Sequence, residues 1–131
     1  MSQICVIDDD ETTRTFVTMA LEAEGHEVIE CDNAKKFVSE YIDQSFDLIV
    51  SDIYMPDMDG FELLRTIKSK KTDIPVIIVS GGSSYDLGNI NKLNLTLEMA
   101  HDCGADAVIA KPIDTKELIS LVDENISKYS K

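Results

Sequence analysis

Five residues whose side chains bind metal ions or phosphate groups stand where apolar runs of the sequence end. They are Asp8, Asp9, Asp52, Ser80 and Lys111. Three carboxylates in one place form an oxygen-only ligand set, which suits a hard cation such as Mg²⁺. A lysine and a small hydroxyl beside them can hold the oxygens of a phosphoryl group. These residue types therefore indicate a phosphoryl-transfer site, in which a carboxylate attacks the phosphate and Mg²⁺ bridges the two.

Each of these residues also has an ordinary structural explanation when it is taken alone. Acids at residues 8 to 10 can cap a helix, serine is common in turns, and a lysine after a strand often extends to solvent. The combination at several strand ends favours the functional interpretation. The sequence contains neither G-x-x-x-x-G-K-[ST] nor G-x-G-x-x-G, the motifs that cradle nucleotide phosphates. The phosphate is therefore expected to come from a small donor or from another protein.

The elements that must position these residues alternate along the chain. Short runs rich in Val and Ile alternate with helical patterns, which predicts βα units and a buried parallel sheet. The runs lie near residues 4–7, 28–31, 48–50, 76–79 and 107–110. Right-handed crossovers then give an α/β fold, a doubly wound five-stranded parallel sheet of the flavodoxin-like order 2-1-3-4-5 with five helices on both faces. All strand carboxyl ends share one edge of such a sheet, where open α/β folds bind ligands.

Two helical segments bear on the site. The first helix is predicted to start at Asp10-Glu11 and to stop at Gly25. Its apolar residues at helical spacing are Phe16, Met19, Ala20 and Ala23. Residues 81–91 are expected to form a flexible loop that leads into a helix over 92–103.

The composition indicates one cytoplasmic domain. A chain of 131 residues is expected to form a single domain over 1–131, with no output domain. Its formal charge of −13, from 12 basic and 25 acidic residues, argues against direct nucleic-acid binding. No signal peptide and no apolar run of roughly 20 residues is present, so neither export nor membrane insertion is expected. The cysteines Cys5, Cys31 and Cys103 lack metal-ligand spacing and are interpreted as buried free thiols.

These motifs in combination resemble the receiver domains of two-component response regulators. The resemblance depends on an acidic pair after the first strand, a later aspartate followed by a Met-Pro-Asp-Met-Asp-Gly loop, and a Lys-Pro pair after the last strand. The segments that carry it are Val6–Asp9, Asp47–Gly60, Pro75–Ser80 and Gly104–Pro112. Because they extend over essentially the whole chain, the resemblance implies a single receiver domain over residues 1–131.

The resemblance implies a role for each acid of the site. Asp52 is the implied phosphoacceptor. Asp9 and Asp52, together with the backbone carbonyl of Tyr54, are implied to bind Mg²⁺, and Asp8 to hold a metal-bound water. Tyr54 also stands two residues beyond the acceptor, where the family tunes the lifetime of the phosphate.

The resemblance further implies how the phosphoryl group is sensed. Ser80 is the implied switch hydroxyl, and Lys111 the cation that pairs with the phosphate, with a cis peptide bond between Lys111 and Pro112. Besides the bulky Tyr54, two features depart from the family pattern. Val108 occupies the position of the family's aromatic switch residue, and the segment between Ser80 and Lys111 is longer than usual.

The additional residues of that segment fall in the loop over 81–91. One hypothesis is that this loop, through Tyr85, replaces the aromatic switch. The alternative is a surface insertion that the fold tolerates, because lengthening a loop costs little free energy.

The implied function is a switch operated by phosphorylation. Mg²⁺-dependent phosphorylation of Asp52 by a sensor histidine kinase or a histidine phosphotransfer protein would change binding to a downstream partner protein. The chain is not expected to be an enzyme beyond Mg²⁺-dependent self-phosphorylation and autodephosphorylation. Two alternatives stay open. Asp8, Asp10 and Thr12 fit D-x-D-x-T, the motif of haloacid-dehalogenase-like phosphatases, with Asp8 as the nucleophile; the other alternative is a receiver-like scaffold that never turns over phosphate.

Overall fold

The protein forms a five-stranded parallel sheet with the strand order β2-β1-β3-β4-β5. A computed structural model describes residues 2–53, 55, 57–58, 60–70, 73–80 and 104–129. The strands are β1 (Gln3–Ile7), β2 (Glu27–Cys31), β3 (Leu48–Asp52), β4 (Val76–Ser80) and β5 (Ala107–Ala110). All four pairs of neighbouring strands are parallel, so the predicted doubly wound sheet and its order are confirmed.

Helices connect the strands and cover both faces of the sheet. In the described ranges they are α1 (Glu11–Ala23), α2 (Ala34–Lys36) running directly into a π-helix (Phe37–Tyr41), α3 (Gly60–Lys70) and α4 (Thr115–Tyr129). The predicted loop over 81–91, with Tyr85, and the predicted helix over 92–103 lie outside the described residues. None of the helices described here has the length and apolar character needed to cross a bilayer.

The hydrophobic core consists of two layers, because successive side chains of a strand point to opposite faces of the sheet. One layer joins the sheet to the π-helix and α3. It includes Cys5, Ile7, Ile49, Ile78, Phe37, Leu63, Leu64 and Ile67. The other layer joins the sheet to α1 and α4. It includes Ile4, Val6, Leu48, Val50, Ile77, Val17, Leu21, Leu118 and Val122.

The cysteines take part in this core. Cys5 and Cys31 are free and buried, as the sequence predicted, whereas Cys103 lies outside the described residues. Burial raises the pKa of both thiols, so they remain protonated and act as small apolar side chains.

Helix α1 is confirmed, but its buried face differs from the one that the spacing of its largest apolar residues indicated. Val17 and Leu21, four residues apart, face the core and are 1% and 0% exposed. Phe16 and Met19 are 44% and 65% exposed. Apolar residues occur on more than one side of this helix, so the side that packs is decided by the neighbouring strands, and sequence periodicity alone cannot select it.

A buried ion pair fastens the edge of the sheet opposite to the predicted site. The Lys68 Nζ atom lies 2.8 Å from Asp106 Oδ2, and their side chains are only 17% and 7% exposed. Lys68 also donates to the Ile74 carbonyl, and the Val76 N–H donates to Asp106, both at 2.8 Å. The pair thereby ties α3 to the amino ends of β4 and β5.

Candidate functional site

The carboxyl ends of β1, β3, β4 and β5 are level with one another, and this brings the predicted site residues together. Strand pairing aligns Ile7 with Ser51, and Ser80 with Ala110. The ladder extends one residue beyond the strands through backbone hydrogen bonds from Asp8 N to Cys31 O (3.1 Å), Ile53 N to Val79 O (3.1 Å) and Lys111 N to Ser80 O (2.8 Å). The first residue after β1, β3 and β5 is thus held at the sheet edge.

Asp8, Asp9 and Asp52 form an acidic cluster at this edge. Each offers one carboxylate oxygen, and these three oxygens lie within 4.8 Å of one another. Asp8 and Asp52 are 3% and 4% exposed, whereas Asp9 is exposed to solvent. The donor set consists of oxygens only and opens to water on one side, which fits Mg²⁺, a cation that keeps several waters. Tyr54, the fourth predicted metal-binding residue, lies outside the described residues.

Lys111 reaches into the same cluster from the end of β5. Its Nζ atom lies 3.6 Å from Asp52 Oδ2 and 3.8 Å from Asp8 Oδ2, and its side chain is 17% exposed. The peptide bond between Lys111 and Pro112 is cis, as the sequence resemblance implied. Because the Lys111 ammonium lies near both Asp8 and Asp52, it offsets part of the repulsion between these two buried carboxylates.

Ser80 ends β4 with its side chain completely buried. Within the described part of the chain, its Oγ atom has no hydrogen-bond partner. A buried hydroxyl without a partner is unfavourable by about 1–3 kcal/mol, so such groups are rare in folded proteins. A hydroxyl at this position is chemically able to donate a hydrogen bond to a ligand oxygen at this edge of the sheet.

The first residue of α3, Gly60, packs tightly against the backbone at the end of β3. The Gly60 N–H donates to the Ile53 carbonyl, with 2.6 Å between N and O. A Cβ atom at Gly60 would lie 2.6 Å from the Asp52 carbonyl oxygen and 2.6 Å from Ile53 Cα, so only glycine fits here. Earlier in the loop, Asp57 Oδ2 accepts from the Lys35 N–H at 2.9 Å, which links the loop to α2. A steric requirement thus explains the glycine that ends the Met-Pro-Asp-Met-Asp-Gly segment.

Two further residues have structural roles near the cluster, and the sequence revealed only one of the two. Arg14 donates from Nη1 to the Asp8 carbonyl at 2.8 Å. Asp10 caps α1, since its Oδ2 atom accepts from the Thr13 N–H at 3.2 Å and from the Thr13 hydroxyl at 2.6 Å. These hydrogen bonds lower the pKa of Asp10. The helix start at Asp10 was predictable from the sequence. The only sequence signal for the role of Arg14 is that a basic residue lies within two helical turns of the acidic pair.

Burial raises the pKa of the Asp8 carboxyl above its ordinary value, although the Asp10 N–H and Lys111 oppose this rise and the charges of Asp9 and Asp10 add to it. A raised pKa means that the folded chain binds the proton more tightly than the unfolded chain does. Stability therefore falls as the pH rises from about 4 through the raised pKa, and the cost is fully present above that pKa.

We expect Asp8→Asn to increase the free energy of unfolding in EDTA at pH 7 by about 1 kcal/mol, because it removes one of three crowded carboxylates. Urea denaturation measures this change, and the loss of stability between pH 4 and 7 should become smaller in the variant. Asp43→Asn, at an exposed position, is the control and should change little. A decrease in stability would mean that attraction to Lys111 outweighs burial.

Comparisons with known proteins agree with this geometry. The sequence matches the model of the response regulator receiver domain over residues 4–123. The DNA-binding transcriptional regulator NtrC of Azospirillum brasilense is 35% identical over 124 residues, which cover 95% of this chain and 24% of that protein. The chain spans about a quarter of the length of the NtrC proteins that it matches.

Solved structures show the same fold. A CheY-like response regulator receiver domain protein from Methanospirillum hungatei JF-1 has a TM-score of 0.83 and 27% identity, covering 98% of this chain and 96% of that chain. The receiver domain of the Francisella response regulator 1452 has a TM-score of 0.83 and 25% identity, covering 99% and 100%. By sequence and by fold, the chain belongs to the family of response regulator receiver domains.

Proposed function

We propose that this receiver domain accepts a phosphoryl group on Asp52 in a Mg²⁺-dependent reaction and that phosphorylation changes its binding to a partner protein. The observation that carries the proposal is the meeting of three carboxylates with one lysine at a single sheet edge. Three carboxylates this close together repel one another, and one lysine offsets only part of that repulsion, so the cluster favours a bound metal cation. It also contains the side chains that phosphoryl transfer requires.

Each side chain has a separate task in this reaction. An Asp52 carboxylate oxygen attacks the phosphorus, a new P–O bond forms, and the bond to the donor breaks with its electron pair leaving on the donor atom. Asp9 and Asp52 would hold Mg²⁺, with Asp8 acting on a metal-bound water. The ion, when bound, supplies charge neutralisation to the attacking carboxylate and the phosphoryl oxygens. Lys111 and the buried Ser80 hydroxyl then hold the transferred group.

The phosphatase alternative would make Asp8 the nucleophile, with Asp10 as the second acid of its D-x-D-x-T motif. Asp10 is instead occupied as the cap of α1 by the N–H and hydroxyl of Thr13. Asp52 and the closely packed Gly60 would also have no task in that reaction. A pure scaffold, the second alternative, would not need Asp52, Ser80 and Lys111 together, nor a buried Ser80 hydroxyl that finds no hydrogen-bond partner among the described residues. Both alternatives are therefore less favoured than the receiver reaction.

The partners follow from the proposed chemistry. The phosphate would come from a sensor histidine kinase or a histidine phosphotransfer protein, and the output would be a downstream partner protein. We propose one domain over residues 1–131 without direct nucleic-acid contact, because a charge of −13 repels nucleic-acid phosphates. The DNA-binding relatives are about four times longer than this chain. A cytoplasmic location stays a prediction from the sequence.

The proposal is tested by incubating the protein with acetyl phosphate, with Mg²⁺ or with EDTA, and measuring the intact mass. We expect one phosphoryl group per chain with Mg²⁺ and none with EDTA. Incorporation that is equal under both conditions, or absent under both, would contradict the proposed Mg²⁺-dependent reaction.

A further inference from the structure

Arg14 contacts the backbone between the first two acids of the cluster. Its Nη1 atom donates to the carbonyl oxygen of Asp8 at 2.8 Å, which lies in the peptide that joins Asp8 to Asp9. The Arg14 side chain is 16% exposed, so its guanidinium is largely enclosed. A charged donor on a carbonyl makes a stronger hydrogen bond than a neutral one, and partial burial strengthens it further.

With this bond, the peptides on both sides of Asp8 are fixed. The Asp8 N–H donates to the Cys31 carbonyl at 3.1 Å, which fixes the preceding peptide to β2. Arg14 fixes the following peptide to α1. The direction of the Asp8 side chain depends on these two peptides. The peptide that joins Asp8 to Asp9 also sets the position of the Asp9 backbone. Arg14 thus acts on both acids without touching either carboxylate.

Glu30 orients the arginine. Its Oε1 atom lies 3.2 Å from Arg14 Nε, while the carboxylate itself is 43% exposed. An exposed ion pair of this kind contributes little to stability. Its effect here is geometric, because a guanidinium held at Nε presents Nη1 in a fixed direction, which a lysine ammonium cannot reproduce.

We propose that Arg14 is a positioning residue of the metal site, which holds the Asp8–Asp9 backbone in the conformation that binds Mg²⁺. This inference rests on the proposed function, since it assigns a task toward the same cation. The change in Mg²⁺ affinity that it predicts for loss of Arg14 has the opposite sign to the change that electrostatics alone predicts. A positive charge beside a cation site lowers cation affinity, so removing it should raise the affinity unless its positioning effect is larger. The sign of the change therefore distinguishes the two roles.

The test uses Arg14→Gln, Arg14→Lys and Glu30→Gln in the full chain, with Arg65→Gln as the control. Arg65 is the other arginine of the sequence and is exposed on α3. Urea unfolding is measured for each protein in EDTA and at a series of Mg²⁺ concentrations. The increase in unfolding free energy between the two conditions gives the affinity of the folded protein for Mg²⁺. This difference is independent of any stability that the substitution itself removes.

We expect Arg14→Gln to weaken Mg²⁺ binding about tenfold, at the lower end of the loss seen when an outer partner of a metal ligand is removed. At saturating Mg²⁺ this reduces the Mg²⁺-dependent increase by about 1.4 kcal/mol. Arg14→Lys should recover part of the affinity, Glu30→Gln should lose a smaller part, and Arg65→Gln should match wild type.

Two results would overturn this inference alone. Tighter Mg²⁺ binding by Arg14→Gln would show that its charge, and not its hydrogen bond, is what the site senses. Equal Mg²⁺ affinity with lower stability in EDTA would show that Arg14 only fastens α1 to β2. In both cases wild type still binds Mg²⁺, so the proposed function survives; wild type that gains no stability from Mg²⁺ would overturn both proposals.

Discussion

Asp52→Asn is expected to abolish phosphoryl incorporation from acetyl phosphate, whereas Asp8→Asn should keep the acceptor and react more slowly. An amide is a poor nucleophile and forms no acyl phosphate, so loss at the acceptor should be complete. Asp8 would act only through the cation, and an asparagine oxygen is still a weak ligand for a hard ion. Intact-mass measurement after incubation with acetyl phosphate and Mg²⁺ gives the extent for each variant.

Asp47→Asn is the matched control for this experiment. Asp47 immediately precedes β3, the strand that Asp52 ends, and its Oδ2 atom accepts from the Gln3 N–H at the far edge of the sheet. It should be phosphorylated as wild type is. If Asp52→Asn still gained phosphate while Asp8→Asn did not, the nucleophile would be Asp8, and the phosphatase alternative would replace the receiver reaction.

The fold was predictable because local pattern and overall topology agree in this sequence. Strands such as Leu48–Asp52 and Val76–Ser80 are buried along their whole length, and a run of β-branched residues is the signature of such strands. Right-handed crossovers then leave few ways to order five strands. The site followed from the same argument, because strand ends in a parallel sheet meet at one edge. Asp8, Asp9, Asp52 and Lys111 lie together there, as expected from their sequence positions.

Contacts between distant segments were not predictable. The partnership of Arg14 with the Asp8 carbonyl depends on how α1 rotates against β1, and the exposed Phe16 and Met19 show that apolar spacing does not fix that rotation. The pairing of Lys68 with Asp106 joins residues far apart in the chain. A charged residue in a sequence gives its chemistry but not its partner, because the partner is set by tertiary packing.

Lys111→Met is expected to change two affinities in opposite directions. Beryllofluoride bound to a carboxylate stands in for the phosphoryl group, and its fluorines would take the places of the phosphoryl oxygens near Lys111. Losing a charged hydrogen-bond partner costs roughly 1.5–3 kcal/mol, so beryllofluoride affinity in the presence of Mg²⁺ should fall by about 10- to 100-fold. Affinity for Mg²⁺ alone should rise, because the ammonium now lies 3.6 and 3.8 Å from the two buried carboxylates.

Both affinities are measured as the ligand-dependent increase in unfolding free energy, so a change in the intrinsic stability of the variant does not affect the comparison. Lys116→Met, at an exposed position in the first turn of α4, removes the same charge away from the cluster and should leave both affinities unchanged. The opposite signs are the decisive feature, since general disruption of the site would weaken both ligands together. Weaker binding of Mg²⁺ as well as beryllofluoride would mean that Lys111 holds the acidic cluster in shape and has no separate task toward the phosphoryl group.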